Sequence, residues 1–409
     1  MSRIDDLIQQ SCPEGVPFVV LSDVAETVSG LTGKTKADFT DGNARFVSYR
    51  NVFTNLAIDQ AALDFVKLKP GERQNALHLG DVVFTGSSEN VEEVGMSSVV
   101  VAEPTKPLYL NSFCFALRFH DTKLLDPGFS KYLFRGTNVR SAIQKTASGV
   151  TRINISKQRF LKIRLPVPPL EVQREIVRIL DTFTELEAEL EAELEARKRQ
   201  YAYYRDSLLS FPEAGGVRWV PMAELVGIAR GRIAGGELNE TNYVGVDNLE
   251  PGFGGRVDAS YLANSSGAIR YGVGDILIGN IRPYLKKVWL ADRSGGASPD
   301  VLTLSLNENG RQVVMPRYLY YLIASDPFIS YSMQHAKGAK MPRGDKAATL
   351  RYEVPVPAKD EQMRIVGILD QFDALVNDLS VGLPAELKAR RQQYEYYRDK
   401  LLTFQEAVS

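Results

Sequence analysis

Apolar residues recur every three or four positions along two stretches of the chain, and this spacing predicts two long helices. The first apolar stripe runs from Ile176 to Phe211 and the second from Ile365 to Phe404. A stripe of roughly 40 residues corresponds to ~60 Å of helix. Stripes of this length favour packing against another long helix, so we expect the two helices to form a coiled coil with each other.

The two stretches share one residue pattern. Gln-x-x-Ile-Val-x-Ile-Leu-Asp begins at Gln173 and again at Gln362, which lies 189 residues later. Tyr-Tyr-Arg-Asp begins at Tyr203 and again at Tyr396, which lies 193 residues later. The second copy therefore has extra residues between the two motifs, and it contains a Gly-Leu-Pro sequence at 382–384. Because proline lacks a backbone donor, we expect the second helix to restart or kink there.

The segments before the two helices predict two mixed α/β domains of one fold, which we call heads. A Gly-Asp pair precedes a β-rich run at Gly80 and again at Gly274. An amphipathic, aromatic segment that predicts helix follows at 129–143 and at 316–333. The predicted organisation is a first head at 1–165, a central spacer helix at 166–211, a second head at 212–353 and a C-terminal spacer helix at 354–409.

The first helix contains a tetrapeptide repeat, Leu-Glu-Ala-Glu, between Leu186 and Leu194. Its glutamates repel one another at i,i+4, and Arg197 and Arg199 partly offset this repulsion. One interpretation is a solvated face on a spacer. The other is a molecular ruler, in which each added tetrapeptide lengthens the separation of the two heads by ~6 Å.

Bulk properties indicate a soluble chain with two folded domains. The chain has 409 residues, of which 44% are hydrophobic and 24% charged. We expect no secretory signal and no membrane helix, since the N-terminus carries early acids and no window approaches ~20 apolar residues. Cys12 and Cys114 are too few for a disulfide framework, which suits the reducing cytoplasm. A net charge of −1 argues against strong nonspecific binding of nucleic acid by the chain alone.

Signatures of catalysis are incomplete in this sequence. Residues 29–35 are similar to a phosphate-binding loop, but Val28 stands where that pattern needs glycine. Residues 272–274 begin like a dinucleotide loop, but Leu277 stands at the position of the third glycine. The three histidines lack metal-ligand spacing, and the Asn/Asp-Pro-Pro-Tyr/Phe sequence of adenine methyltransferases is absent. We therefore predict a protein that is not an enzyme and binds no metal.

The order of head, helix, second head and second helix resembles the specificity subunit of type I restriction–modification systems. The resemblance is most specific at the entries to the helices, Val167–Gln173 and Val356–Gln362, and at the Tyr-Tyr-Arg-Asp ends. The second entry departs from the first, with Ala358-Lys359 in place of Pro169-Leu170. The tetrapeptide repeat is similar to the spacer repeats of one subgroup of that family.

The resemblance implies an α+β fold. Two mixed α/β target-recognition domains would lie in a pseudo-two-fold arrangement, joined by two long antiparallel helices that form a coiled-coil spacer. In that family the subunit has no catalytic activity, and each head reads one part of a split DNA target.

The resemblance also implies the partners of this chain. They are double-stranded DNA, two methyltransferase subunits bound by the helices, and a motor–nuclease subunit that joins through the methyltransferases. The methyltransferase would use S-adenosylmethionine to methylate adenine, and the motor–nuclease would use ATP and Mg. No cofactor is expected in this chain itself.

Base readout needs Arg, Lys, Asn or Gln side chains, which both heads carry on Gly- and Thr-rich segments. The candidates in the first head are Lys34, Lys36, Arg45, Tyr49, Arg50, Asn51, Lys145, Arg152 and Lys157. The candidates in the second head are Arg230, Arg232, Asn248, Asn280, Arg282, Tyr284, Lys286, Lys337, Lys340, Arg343 and Lys346. The candidates for partner binding are Tyr203, Arg205, Tyr396 and Arg398.

Other functions are compatible with parts of this pattern. A coiled-coil scaffold with protein- or glycan-binding heads would show the same helices. The basic loop at 336–346 and its counterpart at 147–152 favour DNA over that alternative. A self-sufficient enzyme is the weakest alternative, because no reaction centre can be assembled from the chain.

Overall fold

The central spacer is one helix of 39 residues, Leu170–Leu208. The C-terminal spacer is two helices, Lys359–Asn377 and Gly382–Leu401. Pro384 lies in the first turn of the second of these, where a missing backbone donor costs least. The computed structural model describes residues 2–212, 216–262, 268–377 and 382–407. The expected kink near 382–384 therefore appears as a helix start, and the residues just before it lie outside the described ranges.

Packing divides the chain into two units. Unit 1 contains residues 1–189 and 389–409, and unit 2 contains residues 190–388. Each unit therefore combines one head with part of the central helix and part of the C-terminal helical region. This division follows contacts and not chain order, so the four boundaries expected from the sequence stay predictions.

Helices and strands are numbered along the chain, beginning with the first head and the central helix. The helices there are α1 (Ser2–Ser11), α2 (Leu21–Val24), α3 (Tyr49–Thr54), α4 (Pro127–Leu133), α5 (Thr137–Lys145), α6 (Lys157–Phe160) and α7 (Leu170–Leu208). The strands there are β1 (Phe18–Val20), β2 (Ala25–Ser29), β3 (Ala44–Val47), β4 (Asp64–Val66), β5 (Val82–Thr85), β6 (Ser87–Ser88), β7 (Ser97–Val99), β8 (Leu108–Leu110), β9 (Cys114–Phe119), β10 (Ala147–Ser148), β11 (Ile153–Ile155) and β12 (Arg164–Pro166).

The second head and the C-terminal region continue this numbering. The helices are α8 (Glu308–Val313), α9 (Pro316–Ile323), α10 (Asp326–Gln334), α11 (Lys346–Arg351), α12 (Lys359–Asn377) and α13 (Gly382–Leu401). The strands are β13 (Arg218–Pro221), β14 (Val226–Ile228), β15 (Tyr243–Val244), β16 (Ile269–Tyr271), β17 (Ile276–Gly279), β18 (Val288–Leu290), β19 (Gly295–Ala297), β20 (Val301–Leu306) and β21 (Glu353–Val356). Short 3-10 helices lie at Lys36–Phe39, Met222–Glu224, Gly235–Glu237, Val246–Asn248 and Pro283–Leu285.

The sheets repeat between the heads. Unit 1 has a four-stranded antiparallel sheet in the order β2-β9-β5-β7, and unit 2 has one in the order β14-β20-β17-β18. A mixed three-stranded sheet accompanies each, in the orders β4-β3-β8 and β15-β19-β16. A two-stranded pair, β1-β12 or β13-β21, leads from each head into its helix. The expected fold class, two mixed α/β domains with long helices, is confirmed.

The paired Gly-Asp sequences form equivalent turns into the central strands β5 and β17. Gly80 and Gly274 both adopt a left-handed backbone, with φ of 87° and 85°. The aspartate after each glycine accepts a hydrogen bond from the backbone N–H two positions before that glycine. The donors are His78 N, at 2.9 Å, and Gly272 N, at 2.8 Å. Glycine suits this backbone because it has no Cβ.

The two aromatic segments expected to be helical each form two helices. In unit 1 they are α4 and α5, separated at Gly136, and in unit 2 they are α9 and α10, separated at Ser325. Their apolar faces join the central sheet and the long helices in one core per unit. Ile176 and Leu180 of α7, and Ile365 and Leu369 of α12, have no exposed surface. Burial of each contributes about 1.5–3 kcal/mol as an upper estimate.

In unit 1 the start of α7 packs antiparallel to the end of α13. The ring of Phe183 lies 5.6 Å from that of Tyr397 and 6.5 Å from that of Tyr394. Four residues further along α7, Glu187 accepts a hydrogen bond from Arg391 at 2.6 Å. Residue numbers therefore increase along α7 in the direction in which they decrease along α13, so the two helices are antiparallel.

In unit 2 the same contact joins α12 and the end of α7. The ring of Phe372 lies 5.6 Å from that of Tyr204 and 6.5 Å from that of Tyr201. Phe372 follows Phe183 by 189 residues, and Tyr397 follows Tyr204 by 193 residues. The same aromatic contact therefore occurs once in each unit, and the expected pairing of the apolar stripes is confirmed.

Candidate nucleic-acid interface

Each head presents a hairpin at an equivalent position. The first hairpin is residues 147–155, and the second hairpin is residues 336–344, which lie 189 residues later. Ser148 pairs with Asn154 in the first, and Lys337 pairs with Arg343 in the second. A glycine with positive φ follows the first partner in both, Gly149 at 137° and Gly338 at 98°. The two hairpins therefore share the same strand pairing and the same position of a glycine with positive φ.

Each hairpin is bonded to a second segment of its own head. In unit 1, Ile155 N donates to Gly86 O at 3.0 Å, and in unit 2, Gly344 N donates to Asn280 O at 3.0 Å. The pairing continues at Asn154 with Ser87 and at Arg343 with Ile281. We call residues 86–88 and 280–286 the first and second flanking segments.

The exposed side chains on this shared frame differ between the heads. The tip of the first hairpin carries Val150, which is 100% exposed, and Arg152, whose guanidinium lies 5.0 Å from the centre of the Phe113 ring. The second hairpin exposes Lys337, Lys340 and Arg343. A common backbone with different side chains is what two readers of different sequences require.

Acidic neighbours fix two of the three cations of the second hairpin. Lys337 pairs with Asp345 at 2.8 Å, and Arg343 pairs with Asp300 at 2.8 Å. The hydrogen bond from Lys337 and those from the first amides of α11 lower the pKa of Asp345 to about 2. Asp345 is therefore ionised near neutral pH and anchors the base of the hairpin. Lys340 is exposed at the tip.

The second flanking segment has an unusual backbone. Arg282 and Lys286 adopt left-handed φ values of 53° and 55° on either side of Pro283–Leu285. Such a conformation costs about 1–3 kcal/mol for a residue with a side chain, and it clusters at functional sites. Arg282 N donates to Pro342 O at 2.7 Å, and Lys286 pairs with Asp326 at 2.6 Å. Exposed Arg282 and Tyr284 are thus held beside the second hairpin.

Several candidates in the first head have structural roles that the sequence did not predict. Asn51 is 4% exposed, and its side chain donates to Asp59 O and Ala62 O at 2.8 and 2.9 Å. Lys34 pairs with Glu72 at 2.5 Å and donates to Lys67 O at 2.7 Å. The Lys34 ammonium is the main cause of the lowering of the Glu72 pKa to about 2. The side chains of Asn51 and Lys34 therefore stabilise their own loops, and a contact of either with DNA stays a prediction.

Other candidates are half-buried, as Tyr49 and Asn248 are, or exposed. Tyr49 donates to Ser87 O at 3.0 Å and so supports the first flanking segment, and Asn248 accepts from Gly245 N at 2.8 Å in a turn. Lys157 lies 5.4 Å from the centre of the Phe115 ring. The remaining exposed candidates are Lys36, Arg45, Arg50, Lys145, Arg230, Arg232 and Lys346. Their contact with DNA stays a prediction.

Sequence reasoning missed the first flanking segment and Phe113. Residues 86–88 carry only Gly-Ser-Ser, which has no cation to attract notice. Their signal is positional, because Gly86 lies 194 residues before Asn280, the same offset that relates Gly80 to Gly274.

The four candidates for partner binding separate into two kinds. Tyr203 and Tyr396 are 69% and 62% exposed. Arg205 is 3% exposed, with its guanidinium 5.8 and 5.2 Å from the ring centres of Tyr201 and Phe253. Arg398 lies over the Tyr394 ring at 5.7 Å. Arg205 is therefore buried within unit 2, Arg398 is half-buried, and the two tyrosines are exposed; binding of a partner by these residues stays a prediction.

A groove in unit 1 adjoins one of these tyrosines. It has a volume of about 770 Å³ and lies between α1 and α13, where Ile8, Tyr396, Leu401 and Phe404 line it. No group of three or more His, Cys, Asp or Glu side chains that could hold a metal occurs within the described ranges. None of the helices formed by those residues is both long and apolar enough to cross a membrane.

Comparison with known proteins gives consistent results. A family model for the type I restriction modification DNA specificity domain matches residues 13–196 and 266–389. The chain is 34% identical over 268 residues to the EcoR124I/EcoR124II specificity subunit of Escherichia coli. It is 32% identical over 275 residues to a Haemophilus influenzae protein that carries the name type I restriction enzyme specificity subunit.

The matched segments cover most, but not all, of these relatives. They cover 61% of this chain and 65% of the E. coli protein, just under two thirds of its length, and 63% of this chain and 68% of the H. influenzae protein. A solved structure concerned with complex assembly and conformational transition of the type I R-M system contains a chain of similar fold. That chain aligns with a TM-score of 0.64 and 18% identity, over 95% of this chain and 98% of its own length.

Proposed function

Because the chain belongs to the family of type I restriction modification DNA specificity domains, we propose that it reads two short DNA sequences, one with each head. The observation that carries this proposal is the repeated hairpin and flanking segment, whose backbone contacts match while their exposed side chains differ. Two readers of one fold and different surface chemistry suit a target in two parts. The relatives favour this function over the scaffold alternative.

We propose that the chain itself is not an enzyme and binds no cofactor. Its part is recognition, and methylation of adenine falls to two methyltransferase subunits that use S-adenosylmethionine. A motor–nuclease subunit that uses ATP and Mg joins through the methyltransferases. Such a protein works where the DNA is, in the cytoplasm. Exposed Tyr203 and Tyr396, at equivalent places in the two units, support a repeated docking surface for the methyltransferase.

DNA binding by the chain with and without its partner tests this division of labour. With a formal net charge of −1 we expect the chain alone to bind DNA weakly, and we expect this binding to weaken as salt rises because it depends on contacts with phosphates. Adding the methyltransferase should create sequence specificity. Fluorescence anisotropy on a target duplex and on a scrambled duplex, at several salt concentrations, measures both effects. Tight sequence-specific binding by the isolated chain would contradict the proposal.

A further inference from the structure

The duplicated motif begins with a buried glutamine at the start of each long helix. Gln173 and Gln362 have no exposed surface. Gln173 donates to Pro168 O at 2.8 Å and Leu124 O at 3.1 Å, and accepts from Asp126 N at 2.7 Å. All of its partners are backbone atoms, so it joins the helix entry to the loop before α4.

Gln362 makes the same three bonds in unit 2. It donates to Pro357 O at 2.8 Å and Val313 O at 2.9 Å, and it accepts from Met315 N at 2.9 Å. The helix entry is thereby joined to the loop before α9. A buried amide whose partners are all backbone atoms is specific for one geometry, because any shift leaves polar groups unpaired.

A second contact lies eight residues further along each helix. Asp181 accepts a hydrogen bond from the hydroxyl of Tyr132 at 2.6 Å and pairs with Lys131 at 2.6 Å. Asp370 accepts from the hydroxyl of Tyr321 and pairs with Arg317 at 2.7 Å. Tyr132 and Tyr321 lie on α4 and α9, the helices whose entry loops bind the glutamines.

Eight residues correspond to about 12 Å along a helix and to just over two turns, so both residues lie within one broad side of the helix. Each head is therefore attached to its long helix at two separated points on one side. The shared apolar core also joins each head to its helix, but apolar contacts are not directional, whereas these two sets of polar contacts fix the direction of the head. We call Gln173, Asp181 and Tyr132 the first attachment cluster, and Gln362, Asp370 and Tyr321 the second attachment cluster.

We propose that the two attachment clusters are positioning devices that hold each head in one orientation on its helix, and so determine how strictly the DNA target must keep a fixed number of unread base pairs between its two parts. This inference rests on the proposed function. None of the six residues is a candidate for contact with DNA, and each lies in the helix or in the part of the head that packs on it. They would affect recognition only by setting the orientation of the head that contacts DNA.

A purely structural role predicts a different result. Loss of stability would weaken binding to every DNA by the same factor and leave the preferred spacing unchanged. Loss of positioning would leave the sequence read by each hairpin unchanged while targets with other spacings become acceptable.

The test uses the full chain in complex with its methyltransferase. The two-part target of the wild-type complex is first established by mapping methylated bases. Binding is then measured on duplexes that keep both parts and vary the number of base pairs between them. The variants are Gln173→Met and Gln362→Met, which keep the side-chain length, and Tyr132→Phe, which removes one hydroxyl. Gln371→Met, at an exposed position of α12, is the matched control.

In the cluster variants, we expect the preference for the wild-type spacing over one changed by a single base pair to fall by about tenfold, the size of one or two lost hydrogen bonds. Both half-site sequences should stay the same, and the Gln371 variant should match the wild type. Equal weakening at all spacings would overturn the proposal, as would loss of the fold in both the glutamine and tyrosine variants. Failure of the wild-type complex to select any two-part target would instead overturn the proposed function.

Discussion

At the residue scale, each Tyr-Tyr-Arg-Asp motif has one tyrosine and one arginine that contact rings of their own unit and one tyrosine that is largely exposed. Tyr204 and Tyr397 stack on Phe372 and Phe183. Arg205 and Arg398 lie over rings of their own units. Among the ring pairs of the described residues, Tyr203 and Tyr396 each contact one ring, that of the tyrosine that follows. The contacts are edge-on, with ring centres 5.5 and 5.3 Å apart. Two amphipathic rings are thereby available for a partner.

Replacing both exposed tyrosines tests that surface. We expect Tyr203→Ala with Tyr396→Ala to leave the melting temperature nearly unchanged and to weaken capture of the methyltransferase, because the rings contribute contact area without packing in the core. The matched control is Tyr204→Ala with Tyr397→Ala, which should lower stability by about 1 kcal/mol or more per stacked ring. Normal complex formation by the first double variant on a sizing column would rule out the docking role.

The hairpin tips make a second prediction at this scale. Lys340→Ala should affect recognition of only one part of the DNA target, and Arg152→Ala only the other, because each side chain belongs to one head. A base contact would cost about 1–3 kcal/mol and relax one position of the target. A phosphate contact would weaken all targets alike and reduce the salt slope by about one.

Selection of bound sequences from a random pool distinguishes these outcomes. Each variant serves as the control for the other, since both remove one exposed cation. A change in both parts of the target by either variant would contradict the assignment of one reader to each head.

Single residues were the level at which sequence reasoning was weakest. The partners of Asn51 and Lys34 could not be foreseen, because Asp59, Ala62, Lys67 and Glu72 become neighbours only through the folding of loops. Arg205 was expected on the surface because Phe253, which covers it, lies 48 residues away in the sequence. Polar residues on loops give no periodic signal that separates a structural role from a functional one.

At the scale of elements, the sequence predicted far more. The apolar stripes identified α7, α12 and α13 and their pairing, since helical periodicity persists over many turns. It also indicated helices at 129–143 and 316–333 but not their division at Gly136 and Ser325. Those breaks depend on packing against the sheet, which periodicity within a segment does not report.

The central helix makes a prediction about length. α7 is continuous through the tetrapeptide repeat, and Leu194 within it is buried. Deleting Leu190–Glu193 shortens the helix by ~6 Å and removes about one turn, so the apolar stripe nearly keeps its face. We expect the unread gap in the DNA target to shorten by about one or two base pairs, with both parts unchanged.

Mapping the methylated sites of the deletion variant measures that gap. A length-preserving change, Glu191→Ala, is the control and should keep the wild-type spacing. An unchanged gap after the deletion would refute the ruler and leave the repeat as a solvated spacer.

At the scale of the whole molecule, unit 1 is built from two separate pieces of chain, whereas unit 2 is one continuous piece. Unit 1 includes the C-terminal segment 389–409, where Val16 N donates to Gln405 O at 2.8 Å and Glu406 pairs with Arg164. Unit 2 takes residues 190–208 from the central helix. Each unit thus contains helical segments from both copies of the duplicated sequence. The duplicated motifs predict this plan, and they also predict the paired loops at 147–152 and 336–346. The pairing of each loop as a hairpin with a flanking segment could not be predicted, because those segments are distant in the sequence.

The central claim is that the two heads read two different parts of one DNA target. Mapping methylated bases across the genome of cells that carry the chain and its methyltransferase tests this claim most directly. We predict a two-part motif with a methylated adenine in each part and a constant number of unread base pairs between them. A single continuous motif, or a methylation pattern that persists when this chain is removed, would contradict the account.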